Sequence, residues 1–345
     1  MEHALLAFQL DDPYDQDTAA PAVQHADRMM CPPCSREDTE MDVSAEDFAA
    51  LFAAVSSWGR WGETDERGAL HYLTPARGVA AAGLVRDGIT VSMSFPVDTA
   101  AAAHNPRPAT HKITRLPGQA DPGSLGFAMD YVGFDYHSDT HTHLDALCHV
   151  GFDGSLYNGQ PCQQVTAEGA AVGSVEILRD GLVGRGVLLD VPRLRSVPWL
   201  EPGEHVFADD LEAAERAQGV TVGQGDILLI RTGHARRLAE FGSWETAGAK
   251  AGLHPTAVPL LAERRVAALG SDGNSDTAPS TTEGVPFPIH VLAINAMGIH
   301  LLDYLQLEDL RRTCEARGRW EFLFVAAPLR IVGGTGSPVN PIAIL

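Results

Sequence analysis

The chain has 345 residues, 45% of them apolar, enough for one large buried core or two small ones. Its 25 basic residues stand against 45 acidic ones for a net charge of −20, so the basic footprint of a nucleic-acid binder is missing. No stretch approaches the roughly 20 apolar residues of a membrane helix, and five cysteines are too sparse, and odd in number, for a disulfide framework.

The first residues, "MEHALLAFQLDDPYDQD", hold a short apolar run with no basic region and no cleavage-like site. No signal peptide is read there, and a cytoplasmic location is expected. Residues 1–42 read as a flexible extension. It contains "CPPC" (Cys31 to Cys34), a C-x-x-C pair whose prolines hold it extended. With no helix or second ligand pair behind it, this pair is read as part of the polar extension. "SAEDFAALFAAVSSW" predicts an amphipathic helix with Ser44 as N-cap and Asp47 at its third position. "PARGVAAAGLVRDG" predicts a second helix ending near Gly88, and the alternating, β-branched "ITVSMSFPV" a strand. Residues 100–125, rich in Ala, Pro and Gly, read as a long loop, and "GFAMDYVGFDYHSDTHTHLD" as extended chain. "GRGVLLDVP" and "GDILLIRTG" are apolar runs bounded by glycine, the mark of buried strands, with the helix "ADDLEAAERAQG" between them. "PTAVPLLAERRVAALGSDG" joins a helix to another buried strand. "HVLAINAMGIHLLDYLQLEDL" mixes helix and strand signals, and "EFLFVAAPLRIVGGTGSPVNPIAIL" reads as terminal strands and turns. No internal repeat is present. The mixture predicts one α/β domain over residues 43–345, after the extension.

The chemistry is concentrated in "HSDTHTHLDALCH", His137 to His149. It holds four of the chain's 14 histidines and two aspartates. His137, Asp139, His141, His143 and Asp145 occupy every second position, so an extended chain would turn all five to one face. A helical turn beginning near Asp145 would return His149 to the same side. Imidazoles with carboxylates suit a divalent ion such as Zn or Mn. The D-G and "YNG" turns of the following "VGFDGSLYNG" shape a loop beside such a site. "DGNSDTAPSTTE" has acids or amides at several calcium-loop positions, but Thr277 stands where the sharp turn needs glycine, so no EF-hand is read.

The segment "THLDALCHVGFDGSLYNG" resembles the cyclase family of metal-dependent hydrolases, which includes arylformamidases, isatin hydrolase and a trans-dienelactone hydrolase. "WGRWGETDERGALHYLTP", "GLVGRGVLLDV", "GDILLIRTG" and "HVLAINAMGIHLLDYLQLEDL" extend the resemblance over about residues 58–335. The family hallmark is His-x-Gly-Thr-His-x-Asp-x-Pro-x-His. Aligned on its end, it places His143, Asp145 and His149 on the second His, the Asp and the last His, with Asp139 at the first His and His141 at the Gly. Aligned on its front, it places His137, Thr140 and His141 on the first His, the Thr and the second His, with His143 at the Asp. The Pro is absent from both registers, and the "DGSLYNG" continuation favours the end register. His137 or His141 could then supply what Asp139 does not. The resemblance further implies a later His and acid for a second metal position, matched by His290 and Asp303, with His300 as a competitor. It implies the swivelling β/β/α fold of the family.

The activity implied is hydrolysis of a cyclic or aryl amide, formamide or lactone by water activated on a divalent metal, Mn or Zn. His149, at the family's last hallmark His, takes the role of proton shuttle. Trp58, Trp61 and Phe152 could wall an aromatic substrate. Two other readings are a polyketide-type cyclase or dehydratase using the same site, and a metal-binding protein without activity. The expected partner is a small-molecule substrate, with no nucleic acid and no membrane, and the chain is expected to form a homo-oligomer, dimer or tetramer.

Overall fold

Short apolar runs bounded by glycine need neighbours on both sides, and in this protein they find them in one sheet. The computed structural model describes residues 42–345; the expected extension, including Cys31 and Cys34, lies outside the described residues apart from Asp42. Nine strands share the sheet: β1 (Thr90–Ser92), β2 (His143–Asp145), β3 (Leu182–Asp190), β4 (Ile227–Arg231), β5 (Ala268–Ser271), β6 (His300–Asp303), β7 (Glu321–Ala326), β8 (Gly336–Pro338) and β9 (Ile342–Ile344). Their order is β1-β9-β7-β3-β4-β5-β6-β2-β8. The central β3, β4, β5 and β6 run parallel. All residues of β4 and β5 are buried, as parallel strands covered on both faces must be. The outer pairings are antiparallel. This is the mixed α/β domain expected from the sequence.

Helices cover the sheet where their start and stop signals predict. Ser44 caps Ala45–Val55, its hydroxyl accepting from the Asp47 N–H at 3.1 Å. Ala208–Gln218 ends on Gly219 and Glu308–Arg317 on Gly318, each in the left-handed conformation that glycine adopts without strain. The helix expected to reach Gly88 stops earlier, as Pro75–Ala82. Its cap is Gly83, whose N–H bonds back to Val79 and Ala80, while the next carbonyl, of Leu84, accepts from Arg319 at 2.8 Å.

Three other segments differ from expectation. The supposed loop 100–125 contains Thr110–Arg115, which pairs with Met129–Gly133 in a two-stranded ribbon outside the main sheet. All of Thr110–Arg115 is exposed, so it lacks the apolar alternation of a half-buried strand. The stretch 137–145 is extended only at β2. Before it the chain bends, with the Ser138 N–H on the Tyr136 carbonyl at 2.8 Å and the His141 N–H on Ser138 Oγ at 3.3 Å. Residues Val291–Ala296, where helix and strand signals mix, form a buried π-helical turn, a form that recurs at functional sites.

Candidate active site

β2 and β6 are the local scaffold. They pair antiparallel, with His143 opposite Asp303 and Asp145 opposite Leu301. Leu144 points into the core, so His143 and Asp145 share the other face, and Asp303 joins them across the pair. Asp303 also stands at the carboxyl end of a parallel strand, where open α/β sheets place their ligands. A turn closed by the His149 N–H on the Ala146 carbonyl at 3.0 Å brings His149 back. His290 arrives on the short helical turn Pro288–His290, and His137 on the bent segment before β2.

These side chains converge on the Asp145 carboxylate, which is fully buried. His137 Nδ1 stands 2.8 Å from Oδ1, His143 Nε2 at 3.5 Å and His149 Nε2 at 4.0 Å. His290 Nε2 is 3.6 Å from Asp145 Oδ2 and 3.4 Å from Asp303 Oδ2. The far side of each of three imidazoles is engaged elsewhere. His143 Nδ1–H donates to the His141 carbonyl at 2.7 Å, and His290 Nδ1–H donates to Asp276 Oδ2 at 2.5 Å. His137 Nε2 pairs with Thr335 Oγ1 at 3.0 Å. Such partners set the tautomer and leave the other nitrogen's lone pair facing the cluster. Asp276 is itself held, accepting from the Ile289 N–H at 2.6 Å. His149 stacks on His137, ring centroids 3.9 Å apart and nearly parallel.

The donor set fits a cation. Among the described residues, both oxygens of Asp145, Oδ1 of Asp303 and Nδ1 of His137 are buried without a hydrogen-bond partner, although His137 lies within ion-pair distance of Asp145. Buried acceptors left in that condition are costly unless a positive charge faces them. Two ligand groups have atoms within 4.8 Å of one another: His137, His143 and Asp145, and Asp145, His149 and His290. The protonation pattern agrees. Burial would raise the Asp145 carboxyl, yet the imidazoles of His149 and His143 hold it well below the usual carboxylate range. Burial would lower His290, yet Asp145, Asp276 and Asp303 raise it well above the usual imidazole range. Burial lifts Asp303 and pushes His149 down to about 4. Both shifts mark negative charge gathered at one buried point, which a divalent ion would satisfy.

The cluster opens into a cavity of about 470 Å³ whose apolar wall includes Phe152, Val285, Pro286 and Phe287. Phe152 is therefore where an aromatic substrate could lie. Trp61 is not: it stacks on His71 at 5.0 Å, outside this cavity. Trp58 donates its indole N–H to the Asn295 carbonyl at 2.7 Å and packs on Phe52. His141, expected on the common face, is turned away by the bend at 138–141. Its Nδ1 meets Ser138 Oγ at 3.2 Å and its Nε2 the Asp98 carbonyl at 3.3 Å. Asp139 is turned too, taking Lys250 Nζ at 2.6 Å and the Tyr304 hydroxyl on one oxygen. Of the three candidates to complete the shell, His137 is the one the fold brings to Asp145. His300 faces away from the cluster, two residues round the alternation from Leu302. Thr335, Phe287 and Lys250 carry no signal of this kind in the sequence, whereas Asp276 is the fifth residue of the acidic stretch "DGNSDTAPSTTE". That stretch follows the buried strand β5.

Comparison with known proteins follows this geometry. The cyclase family model matches residues 88–276. A crystal structure described as a novel cyclase is 32% identical, with a TM-score of 0.76 over 85% of this chain and 99% of its own. The isatin hydrolase of Roseibium aggregatum is 24% identical over 250 residues, 71% of this chain and 83% of its own. Isatin hydrolase A from Ralstonia solanacearum, 23% identical, shares the fold with a TM-score of 0.54 over 78% of this chain and 94% of its own.

Proposed function

This chain belongs to the cyclase family, and from that premise we propose that it is a metal-dependent hydrolase of a cyclic or aryl amide, formamide or lactone. The observation that carries the reading is the convergence of His137, His143, His149, His290 and Asp303 on a buried Asp145 carboxylate with no hydrogen-bond partner of its own. The likeness to an isatin hydrolase supports the same class.

His137, His143 and Asp145 would hold one divalent ion, and His290 with Asp303 would complete the shell or hold a second. Bound there, Zn or Mn would polarise a carbonyl oxygen and lower the pKa of water. The remaining work falls to the chain's own residues. Asp276 keeps the His290 ring oriented, and the His141 carbonyl does so for His143. Phe152 and Phe287 offer apolar faces to the substrate and exclude water from one side of the cavity. His149, with 28% of its side chain exposed, is more open to the cavity than His143 or His290. In that position it would take a proton and return it to the leaving group, although burial, at a pKa of about 4, makes its imidazole a weak base for that step.

The test is metal analysis of protein purified without added metal, beside hydrolysis of a panel of esters, lactones, anilides and formamides with and without chelator. Bound metal with chelator-sensitive ring opening or deformylation is the expected result. Turnover that survives complete metal removal would point to metal-free cyclase or dehydratase chemistry, and metal without turnover of any substrate to a binding protein.

A further inference from the structure

A second cavity, of about 340 Å³, adjoins the one that holds the Asp145 cluster. Asp139 and Tyr304 line both, and the Tyr304 hydroxyl donates to Asp139 Oδ1, so this pair stands as a wall between them. Phe95, Val97 and Leu238 give the second cavity an apolar side. His234 and Leu238, four residues apart on the helix His234–Phe241, reach it from one helix face.

The polar side holds more acceptors than its neighbours satisfy. His234 is 8% exposed. Its ring packs on the rings of Trp244, at 4.9 Å, and Tyr304, at 5.5 Å, and among the described residues neither nitrogen takes a hydrogen bond. Burial, with the Lys250 ammonium adding to it, pushes this imidazole down to about 3, so at pH 7 it is neutral and one nitrogen keeps a lone pair to offer. Both partners of the Asp139 carboxylate, Lys250 Nζ at 2.6 Å and the Tyr304 hydroxyl, fall on Oδ1, which leaves Oδ2 for a ligand. Asp98 accepts from the Ala100 N–H through Oδ1 at 2.8 Å, while its Oδ2 stands 3.6 Å from His104 Nε2. Lys250 offsets Asp139, and the charge of Asp98 is left over.

These features select the occupant. Among the described residues, no three ligand atoms of this cavity lie within 4.8 Å of one another, so the spacing does not suit a single metal ion. An anion would meet two carboxylates. A neutral apolar molecule would cover His234 and Asp98 and give them no donor, which is costly. A larger cation with several N–H donors at one end and an apolar body at the other meets every demand, and the net charge of −20 draws it in. We propose that this cavity is a second ligand site for a small primary amine bound as its ammonium, with Asp98, Asp139 and His234 accepting its N–H groups and Phe95, Val97 and Leu238 covering its alkyl or aryl body. The Asp139–Tyr304 wall makes this ligand a molecule separate from the occupant of the first cavity.

The inference does not rest on the hydrolytic reading, and its test uses no turnover. The full chain, as purified, is titrated by calorimetry at pH 7 with benzylamine, and in parallel with benzyl alcohol and benzoate. Benzylamine should bind one to one, at least about 10-fold tighter than the alcohol, because its hydrogen bonds are charge-assisted; benzoate should not bind. Asp98→Asn keeps Oδ1 for Ala100 and should weaken benzylamine binding about 10-fold. Leu238→Trp fills the apolar side and should abolish it. Circular dichroism and melting establish that each variant is folded, and Asp98→Asn alone decides the matter should Leu238→Trp fail to fold. Trp244, packed on His234, gives a second readout: its fluorescence should change on binding, and Trp244→Phe should remove that change while the heat remains. Absence of saturable benzylamine binding overturns the proposal, as does benzyl alcohol or benzoate binding equally well. Binding indifferent to Asp98→Asn, or persisting in folded Leu238→Trp, would put the amine elsewhere and overturns it too.

Discussion

Asp145 is the residue on which the site turns. It is fully buried, its two oxygens lack hydrogen-bond partners among the described residues, and four imidazoles lie within 4.0 Å of it. Asp145→Ala should therefore abolish metal binding, and a variant that keeps full metal content by elemental analysis would exclude this carboxylate as a ligand. His149→Ala should part company with it. As a shuttle open to the cavity it should keep its metal and lose about 10²- to 10⁴-fold in kcat; metal loss in that variant would make His149 a ligand instead. Asp276→Asn touches neither substrate nor ion. Loss of the charged hydrogen bond to His290 should weaken metal affinity by about 10- to 100-fold, read by competition with a chromogenic chelator. Unchanged affinity would leave Asp276 as a loop anchor. His300 is a different kind of buried histidine. Neither ring nitrogen has a hydrogen-bond partner among the described residues, and burial pushes its pKa down to about 3. The unfolded chain takes that proton near pH 6.5, so the folded state binds fewer protons between about 6.5 and about 3. Stability from His300 is whole above that window and is lost as pH falls through it, at up to about 1.4 kcal/mol per pH unit. His300→Leu should flatten the fall in melting temperature between pH 7 and pH 5, and an unchanged slope would assign the acid sensitivity to other groups.

Elements differ in how openly their signals are written. The helix Ala45–Val55 is legible because its cap is local: Ser44 and Asp47 bond each other within one turn. Ser44→Ala should cost about 1 kcal/mol in denaturant unfolding, and no loss would mean that the contact of Val43 with residues 281–283 holds the helix start by itself. The buried parallel strands are legible for another reason, since burial on both faces demands an unbroken apolar run. The ribbon strands carry neither signal. They are exposed, and Thr110–Arg115 is polar enough to read as loop. β2 fails in the opposite direction: its alternation is genuine but continues upstream through residues that are not a strand. Extended chain persists only where neighbours complete its hydrogen bonds. β6 and β8 supply those to His143–Asp145, whereas the Ser138 and His141 N–H groups bond within their own turn instead.

At the scale of the molecule, the fold gathers candidate ligands that lie far apart in the chain, from His137 to Asp303. Two buried carboxylates and a ring of imidazoles make such a site dependent on positive charge. Stripping metal with a chelator should lower the melting temperature by several degrees, since an ion that binds only the folded state contributes about 2.7 kcal/mol at a hundredfold excess over its Kd. Zn or Mn should restore it. A melting curve indifferent to chelation, in protein first shown to hold metal, would place that metal away from the Asp145 cluster.

Composition and periodicity alone determined that this is an α/β protein with a core, that its charge balance is strongly acidic, and that residues 137–149 hold an unusual density of metal-ligating side chains. Family hallmark and spacing together named Asp145, His143, His149, His290 and Asp303. They left open which of His137, Asp139 and His141 stands beside Asp145, and they set Trp61 at the substrate wall, whereas it stacks on His71 outside the cavity. Only the tertiary structure decided those points. Lys250, 111 residues from Asp139, draws that carboxylate aside, and Thr335, 198 residues from His137, engages the far nitrogen of its ring. A side chain's direction in a bent segment is set by whichever distant groups it meets, and local alternation carries no record of them.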